Sequence, residues 1–217
     1  MKHITVLYED DRCIVLNKPA GLPVQGGEGV GASLDALLAE EWSPRPLLVH
    51  RLDKDTSGII LAAKNREAAA LFSALFAGGK GTGKGAVEKR YLGVCAGHPR
   101  PESGIIEADL TIRGETKAAL TRYTRISGTG EFSLLELELG TGRMHQIRRH
   151  LSHIGNPILG DDKYGNFALN KRLRKERGLK RLLLHASRLR IPASLCGFPL
   201  EVEAPLPDYF LAFIADF

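Results

Sequence analysis

A charged segment at 50–55 runs directly into an apolar segment at 56–63, and this junction constrains the fold more than any other feature. The apolar part is rich in β-branched and aliphatic residues, which predicts a buried strand. Charged groups are rarely buried completely unless they are paired. The segment before the strand is therefore either an exposed turn or a loop that places one carboxylate in a pocket for chemistry. Its polar residues are His50, Arg51, Asp53, Lys54 and Asp55.

Strand and helix patterns follow each other along the chain, with no internal repeat and no long linker. Several predicted strands alternate polar and apolar residues, as in a sheet with one covered face. The order predicts one α+β catalytic domain over 1–217, with a mostly antiparallel, mixed sheet flanked by helices. Strands are predicted at 3–8, 13–17, 56–63, 89–96, 104–113, 118–126, 132–139, 182–191 and 200–204. Helices are predicted at 33–42, 66–77, 169–178 and 208–216, and between the glycine turn at 140–142 and Gly155.

The composition excludes several classes of protein. No apolar run approaches the roughly 18 residues that a membrane span needs, and no apolar signal core stands at the N-terminus. The scattered Cys13, Cys95 and Cys196 fit neither a disulfide framework nor a metal spacing, so we expect them to pack as small apolar side chains. A cytoplasmic monomer is predicted, with no membrane partner.

Positive charge is concentrated in one segment. Residues 141–190 contain 13 Lys and Arg against 3 Asp and Glu, whereas the rest of the chain contains 17 and 22. Such a segment favours a surface that meets a polyanion, and a merely solvated helix face is the alternative. Within it, the helix predicted at 169–178 offers Lys171, Arg172 and Arg174 as phosphate contacts.

The helix predicted to end at Gly155 separates its arginines into two kinds. Arg148 lies roughly 40° from Met144 on a helical projection, at the margin of the apolar stripe. An arginine there needs a carboxylate or phosphate partner, so we expect Arg148 to form an ion pair inside the protein. His145 and Arg149 lie roughly 100° to 140° away, toward solvent. Together with Arg143, they are candidates for contacts with an RNA backbone.

Two further patterns resemble ligand sites but fail in detail. The histidines at 145, 150 and 153 do not converge on one helix face, so no metal site is predicted. The glycine-rich segment 78–85 nearly matches a phosphate-binding loop, but Gly85 stands where a Ser or Thr would hold magnesium, and a helix precedes the segment. We interpret it as a flexible basic loop. Lys18 is interpreted as a surface lysine, with a phosphate contact as the alternative.

Six motifs in order resemble the RluA-type pseudouridine synthases, at 17–21, 50–58, 89–91, 141–148, 155–161 and 183–186. They span nearly the whole chain. The resemblance implies a pseudouridine-synthase fold with a central RNA-binding cleft and an isomerase that acts on uridines of structured RNA without a cofactor. Many relatives carry an added N-terminal RNA-binding module, and we expect this chain to start directly with the catalytic domain.

The resemblance also implies roles for individual residues. Asp53 would be the catalytic aspartate, Tyr91 would stack on the target base and assist proton movement, and Arg148 would pair with Asp53. Arg51 resembles the residue that fills the place of the flipped nucleotide, and His50 beside it is a further candidate for RNA contact. Ribosomal RNA is the expected substrate and transfer RNA the second choice. A non-catalytic RNA-binding protein on the same scaffold is the main alternative, and a phosphate-handling enzyme built on 78–85 is a third.

Overall fold

The structure, a computed structural model, describes residues 4–26, 32–77, 87–112, 114–215 and 217. The segment interpreted as a flexible loop, 78–85, lies outside the described residues. Two units are distinguished. The first contains the described residues up to 77, residues 87–88 and residues 186–205; the second contains the described residues of 89–185 and 206–217.

The strands, in chain order, are β1 (Thr5–Glu9), β2 (Cys13–Lys18), β3 (Leu47–Leu48), β4 (Ser57–Ala63), β5 (Glu88–Ala96), β6 (Ser103–Glu107), β7 (Leu110–Ile112), β8 (Glu115–Lys117), β9 (Leu120–Thr129), β10 (Phe132–Leu139), β11 (Leu184–Ile191) and β12 (Leu200–Glu203). The helices are α1 (Leu34–Glu41), α2 (Arg66–Ala77), α3 (Gln146–His153), α4 (Phe167–Glu176), α5 (Ala193–Cys196) and α6 (Asp208–Ile214).

In the first unit, β4 is the strand around which the others are arranged. Every residue of β4 is buried, as its uninterrupted apolar sequence predicts. β2 and β3 pair with it antiparallel, and β1 extends the sheet beyond β2. Helix α1 begins at the predicted cap, since the side chain of Ser33 accepts a hydrogen bond from the Ala36 amide at 3.2 Å.

The approach between β4 and β11 is close because residue 58 is a glycine. Gly58 has a φ of 107°, and a Cβ atom built there would lie 2.2 Å from the carbonyl oxygen of Ala186. No side chain fits in that space, and the positive φ alone already favours glycine. The chain that leaves the predicted carboxylate loop therefore enters the sheet in direct backbone contact with β11.

In the second unit, β5, β10, β9 and β6 form an antiparallel sheet in that order. A separate ladder joins β7 to β8. Helix α3 contributes Ile147 and Leu151 to a buried cluster that also contains Leu135 and Leu137 of β10. Helix α4 contributes Leu173 to a second cluster with Phe210 and Phe213 of α6.

The α+β class and the predominance of antiparallel pairs are confirmed, and several element bounds agree to within a residue. Helix α2 and strand β10 have the predicted bounds. The strand predicted at 104–113 is instead divided between β6 and β7, and helix α3 starts later than its hydrophobic spacing indicated. Cys13, Cys95 and Cys196 are all buried, as expected. Among the described residues, no helix is both long and apolar enough to cross a bilayer. The single domain over 1–217 stays a prediction.

Candidate active site

Asp53 lies in the loop between β3 and β4 of the first unit and is half-buried. The side chain of Leu52 is buried beside it, which fixes one flank of the loop. The carbonyl of Asp53 accepts a hydrogen bond from the amide of Thr56 at 3.2 Å, so the chain turns tightly before it enters β4. This arrangement presents a carboxylate on a short and well-held turn.

Lys18 is fully buried, and both interpretations drawn from the sequence were wrong. Its ammonium group donates to three backbone carbonyls, those of Pro19 at 3.0 Å, Leu22 at 2.9 Å and Lys54 at 2.9 Å. The bend after β2 turns the first two carbonyls inward, and a lysine can then satisfy all three donors without a carboxylate partner. A lysine in this position is not available to bind a phosphate.

The buried ammonium group of Lys18 supports the loop that carries Asp53. The carbonyl of Lys54 accepts both from Lys18 and from the amide of Gly21 at 2.8 Å, so the residue next to Asp53 is held at one point by two donors. Burial lowers the pKa of Lys18 to about 8, while the charges of Asp55 and Asp53 act in the opposite direction. A positive charge is thus present close to the acidic turn at neutral pH.

His50 has a structural role in the first unit. Its Nε2 accepts a hydrogen bond from the amide of Leu61 at 2.9 Å, and its ring stacks on that of Phe76 with centroids 4.1 Å apart. A ring nitrogen that accepts cannot carry a proton, so the imidazole is neutral with its hydrogen on Nδ1. The loop is thereby attached to β4 and α2. Arg51 is exposed, and RNA contact by Arg51 and His50 stays a prediction.

Tyr91 lies in β5 of the second unit, opposite Leu137 of β10. It is half-buried and packs against the cluster that contains Leu135 and Ile147. The preceding residue, Arg90, forms an ion pair with Glu136 across the same two strands at 3.0 Å. The strand therefore holds the Tyr91 backbone firmly, while stacking of its ring on a base stays a prediction.

Arg148 is paired inside the second unit, as its position at the margin of the apolar stripe indicated. It is 3% exposed, and its Nε and Nη2 donate to the two carboxylate oxygens of Asp161, each at 2.7 Å. Nη2 also lies 3.3 Å from Oδ1 of Asp162. The resemblance names Asp53 as the carboxylate partner of Arg148, and that pair stays a prediction. Sequence reasoning did not identify Asp161 as a partner, although it stands in the matched motif 155–161.

The carboxylate of Asp161 is stabilised in its charged form. Burial would raise the pKa of this carboxyl, but Arg148 and the amides of Tyr164 and Lys163 outweigh burial and hold that pKa below its ordinary value. Both amides donate to Oδ1 at 2.9 Å. Asn170 of α4 donates to the Asp161 carbonyl at 2.9 Å, so the turn after α3 is also attached to α4.

Helix α3 begins at Gln146, because His145 adopts a left-handed conformation with a φ of 53°. The helical projection therefore does not apply to Met144 and His145, and the solvent-facing angle assigned to His145 was wrong. The angle of Arg148 from Met144 does not apply either, but Arg148 still lies roughly 60° from the buried Leu151 of the same helix. Nδ1 of His145 instead lies 3.0 Å from the hydroxyl of Tyr164. The ring of Tyr164 in turn lies 5.3 Å from the guanidinium carbon of Arg148.

Gln146 is a buried residue that sequence reasoning missed. Its Oε1 accepts from the Thr141 hydroxyl at 2.6 Å and from the Arg143 amide at 3.0 Å. Its Nε2 donates to the carbonyl of Leu120 at 2.8 Å and to the hydroxyl of Thr121 at 3.0 Å. The start of α3 is consequently attached to β9. A glutamine four residues after Gly142 of the glycine turn was a signal that we interpreted only as part of a motif.

The cationic residues predicted to contact RNA differ in how strongly the protein itself engages them. Arg143 donates to the carbonyl of Ala118 at 3.2 Å, and Arg149 donates to that of Thr111 at 3.1 Å. Arg172 forms ion pairs with Glu131 and Glu176. On the same helix, Lys171 and Arg174 are exposed. Contact of all five residues with RNA stays a prediction.

The chain is similar to known proteins along most of its length. A family model described as RNA pseudouridylate synthase matches residues 12–153. The ribosomal large subunit pseudouridine synthase C of Rickettsia typhi is 35% identical, over 94% of this chain and 69% of that protein. The chain belongs to the RNA pseudouridylate synthase family. The corresponding synthase D of Xanthomonas campestris is also 35% identical, over 94% of this chain and 66% of its own length.

Solved structures of pseudouridylate synthases agree with this membership. The human RNA pseudouridylate synthase domain containing 4 superposes with a TM-score of 0.78 at 27% identity, over 97% of this chain and 91% of its own. The human RNA pseudouridylate synthase domain containing 1 superposes with a TM-score of 0.75 at 26% identity, over 94% of this chain and 84% of its own. This pseudouridylate synthase is an isomerase that converts uridine in RNA to pseudouridine.

Proposed function

We propose that this pseudouridylate synthase modifies ribosomal RNA, with transfer RNA as the second candidate. The observation that carries the proposal is the match of 94% of the chain, at 35% identity, to proteins named as synthases of the ribosomal large subunit. The excess of positive charge at 141–190 suits a highly charged RNA of this kind. We place the enzyme, together with its RNA substrate, in the cytoplasm. We also propose that it is a monomer.

The reaction requires an ionised carboxylate that is held in a defined orientation. Pseudouridine formation breaks the bond between the ribose and the base nitrogen, turns the base and rejoins it through carbon 5. No atom or electron is gained or lost, so the reaction needs no redox or group-transfer partner. An ionised acid can attack the ribose or the base as a nucleophile, or remove a proton from the ribose as a base.

We assign that carboxylate to Asp53. Its turn is held by the buried side chain of Leu52 and by the two donors on the Lys54 carbonyl. The positive charge of Lys18 nearby favours the ionised form of an acid in this loop. In the proposed active enzyme, Arg148 also pairs with Asp53, an assignment that rests on the matched motifs. Asp161 directs the guanidinium group for this purpose through Nε and Nη2.

We assign recognition of the extruded nucleotide to Tyr91 and Arg51. Removing a uridine from its helix costs a few kcal/mol, which stacking on an aromatic ring and filling of the vacancy offset. Tyr91 stands on a strand that holds its backbone rigidly, and this suits a residue that receives a base. Arg51 is exposed on the loop two residues before Asp53, and a long side chain there suits the vacancy.

The test is release of tritium from carbon 5 of labelled uridine in large-subunit ribosomal RNA, with no cofactor added. We expect the wild-type enzyme to release tritium, and Asp53→Asn to bind the same RNA without releasing it. Asp55→Asn is the matched control, since it removes a carboxylate from the same loop and should keep at least a third of the rate. Normal turnover by Asp53→Asn would remove the assignment of Asp53.

The substrate is tested separately by mapping the pseudouridines that disappear in a deletion strain. Loss from large-subunit ribosomal RNA supports the proposal, whereas loss from transfer RNA alone replaces it with the second candidate. Tight binding of RNA by the wild-type protein without any tritium release would favour the non-catalytic alternative.

A further inference from the structure

Helix α4 places one aromatic side chain in solvent on a rigid backbone. Phe167 is 61% exposed, more than Ile126 at 54% or Leu211 at 48% among the described large apolar residues. It is the first residue of α4, directly after the cap, where the Asn166 side chain accepts from the Leu169 amide at 3.0 Å. The cap therefore fixes the backbone at Phe167 while its ring remains largely in water.

The same helix is anchored on its other side. Asn170 and Leu173 are buried, and Asn170 bonds both to the Gly160 amide and to the Asp161 carbonyl. The backbone at Phe167 is consequently held in place. Its position is set by a helix that attaches to the turn carrying Asp161.

Two cations share the exposed side of α4 with Phe167. On a helical projection, Lys171 lies roughly 40° and Arg174 roughly 20° from Phe167, about one and two turns along the helix. Both are exposed. Arg172 lies roughly 140° away on the same projection and is engaged by Glu131 and Glu176. Lys175 is exposed as well and is in no described ion pair, but it lies roughly 80° away. The aromatic ring thus lies in line with two of the three cations on α4 that no carboxylate holds in a described ion pair.

An aromatic ring in line with cations matches the chemistry of single-stranded nucleic acid. A base stacks on the ring, and lysine and arginine meet the neighbouring phosphates. Base-paired RNA would offer phosphates, 2′-hydroxyls and base edges to such a surface but no open base face, because its bases are already stacked on each other. An apolar protein partner fits less well, because the helix would bring two uncompensated charges into the contact.

We propose that Phe167, Lys171 and Arg174 form a binding site for an unpaired nucleotide of the substrate RNA, separate from the residues assigned to catalysis. The proposal rests on the proposed function for the identity of the RNA. It adds that the enzyme holds its substrate partly by stacking on Phe167, beside two cations that the sequence already offered as phosphate contacts.

The test compares RNA affinity for four proteins: wild type, Phe167→Ala, Phe167→Trp and Phe167→Leu. The probe is a hairpin of large-subunit ribosomal RNA with a short single-stranded oligoadenylate extension, measured with the extension free or annealed to its complement. We expect Phe167→Ala to bind the free extension about 5- to 20-fold more weakly, in the range of one base stacked on an aromatic ring. Phe167→Trp should retain wild-type affinity, and Phe167→Leu should lose it.

Two further comparisons separate stacking from other effects. Ile126→Ala removes a similarly exposed apolar side chain from β9 and should leave the affinity unchanged. The salt dependence of binding should be the same for Phe167→Ala and wild type, because stacking releases no counterions. On the annealed probe, Phe167→Ala and wild type should bind equally.

Equal affinity of Phe167→Ala and wild type for the free extension would overturn the proposal. Wild-type affinity of Phe167→Leu would also overturn it, since an apolar contact without stacking would then suffice. Failure of the proposed function is distinguishable, because it appears as absence of tritium release from ribosomal RNA by the wild-type enzyme. The Phe167 comparison depends only on binding.

Discussion

The guanidinium group of Arg148 and the carboxylate of Asp161 meet through two hydrogen bonds of 2.7 Å, and both side chains are almost completely buried. A pair of this kind fixes the direction of the arginine, because two parallel bonds allow only one orientation in the plane. Breaking such a pair leaves one buried charge without compensation, which typically costs about 3–5 kcal/mol. Asp161 is therefore a positioning residue for Arg148, while Arg148 is the residue proposed to meet the catalytic acid.

Asp161→Asn should lower both stability and the rate of catalysis, whereas Asp162→Asn should change both much less. We expect Asp161→Asn to reduce the free energy of unfolding by about 3 kcal/mol. We also expect kcat to fall by at least about tenfold while RNA affinity changes less than threefold. The Asp162 side chain is 79% exposed, and loss of such a charge is worth at most about 1 kcal/mol. Urea unfolding and tritium release below the melting temperature measure the two effects.

The advantage of wild type over Asp161→Asn should also disappear in acid. The pKa of Asp161 is lowered in the folded state, so its stabilising contribution is present above the ordinary pKa of about 3.9 and is lost as the pH falls through the folded value. A difference in unfolding free energy that remains constant down to pH 2 would contradict this origin of the stability.

Lys18 should make stability rise with pH in the weakly alkaline range. The folded protein releases the Lys18 proton near pH 8, whereas the unfolded chain releases it near the ordinary value of 10.5. Between these values the unfolded chain binds more protons, so the free energy of unfolding gains up to about 1.4 kcal/mol per pH unit. Urea unfolding from pH 7.5 to 10, compared with Lys18→Met, measures this gain. Parallel curves for the two proteins would show that Lys18 keeps its proton throughout.

Removal of charge from α4 should flatten the salt dependence of RNA binding by different amounts at different positions. Lys171→Gln and Arg174→Gln should each reduce the slope of log affinity against log salt by about one. Arg172→Gln should change the slope less, because Glu131 and Glu176 already hold its guanidinium group. Equal effects at all three positions would mean that these ion pairs open when RNA binds.

Elements whose signal is local could be predicted from the sequence. The apolar run of β4, the periodicity of α2 and the Ser33 cap each act over a few residues, and all three are confirmed. The strand predicted at 104–113 is divided at Ala108 and Asp109, because β6 pairs with β9 whereas β7 pairs with β8. The α+β class followed from the order of these elements.

Residues whose environment is made by distant parts of the chain could not be predicted in the same way. The carbonyl of Lys54 is 36 residues from Lys18, and no local pattern shows that it faces the ammonium group. Arg148 was expected to find an internal carboxylate from its place on the helix, but Asp161 could not be selected, because that depends on the turn after α3. His145 was misplaced because a left-handed residue interrupts the helical periodicity.

Gly58 couples the turn that presents Asp53 to a strand encoded more than a hundred residues later. A Cβ atom at position 58 would lie 2.2 Å from the carbonyl oxygen of Ala186, well inside the distance at which the two atoms repel each other. In a library randomised over 50–58, survivors should therefore carry glycine at 58 whatever the other positions become. Variants with new specificities can therefore be sought at the neighbouring positions only when Gly58 is kept constant.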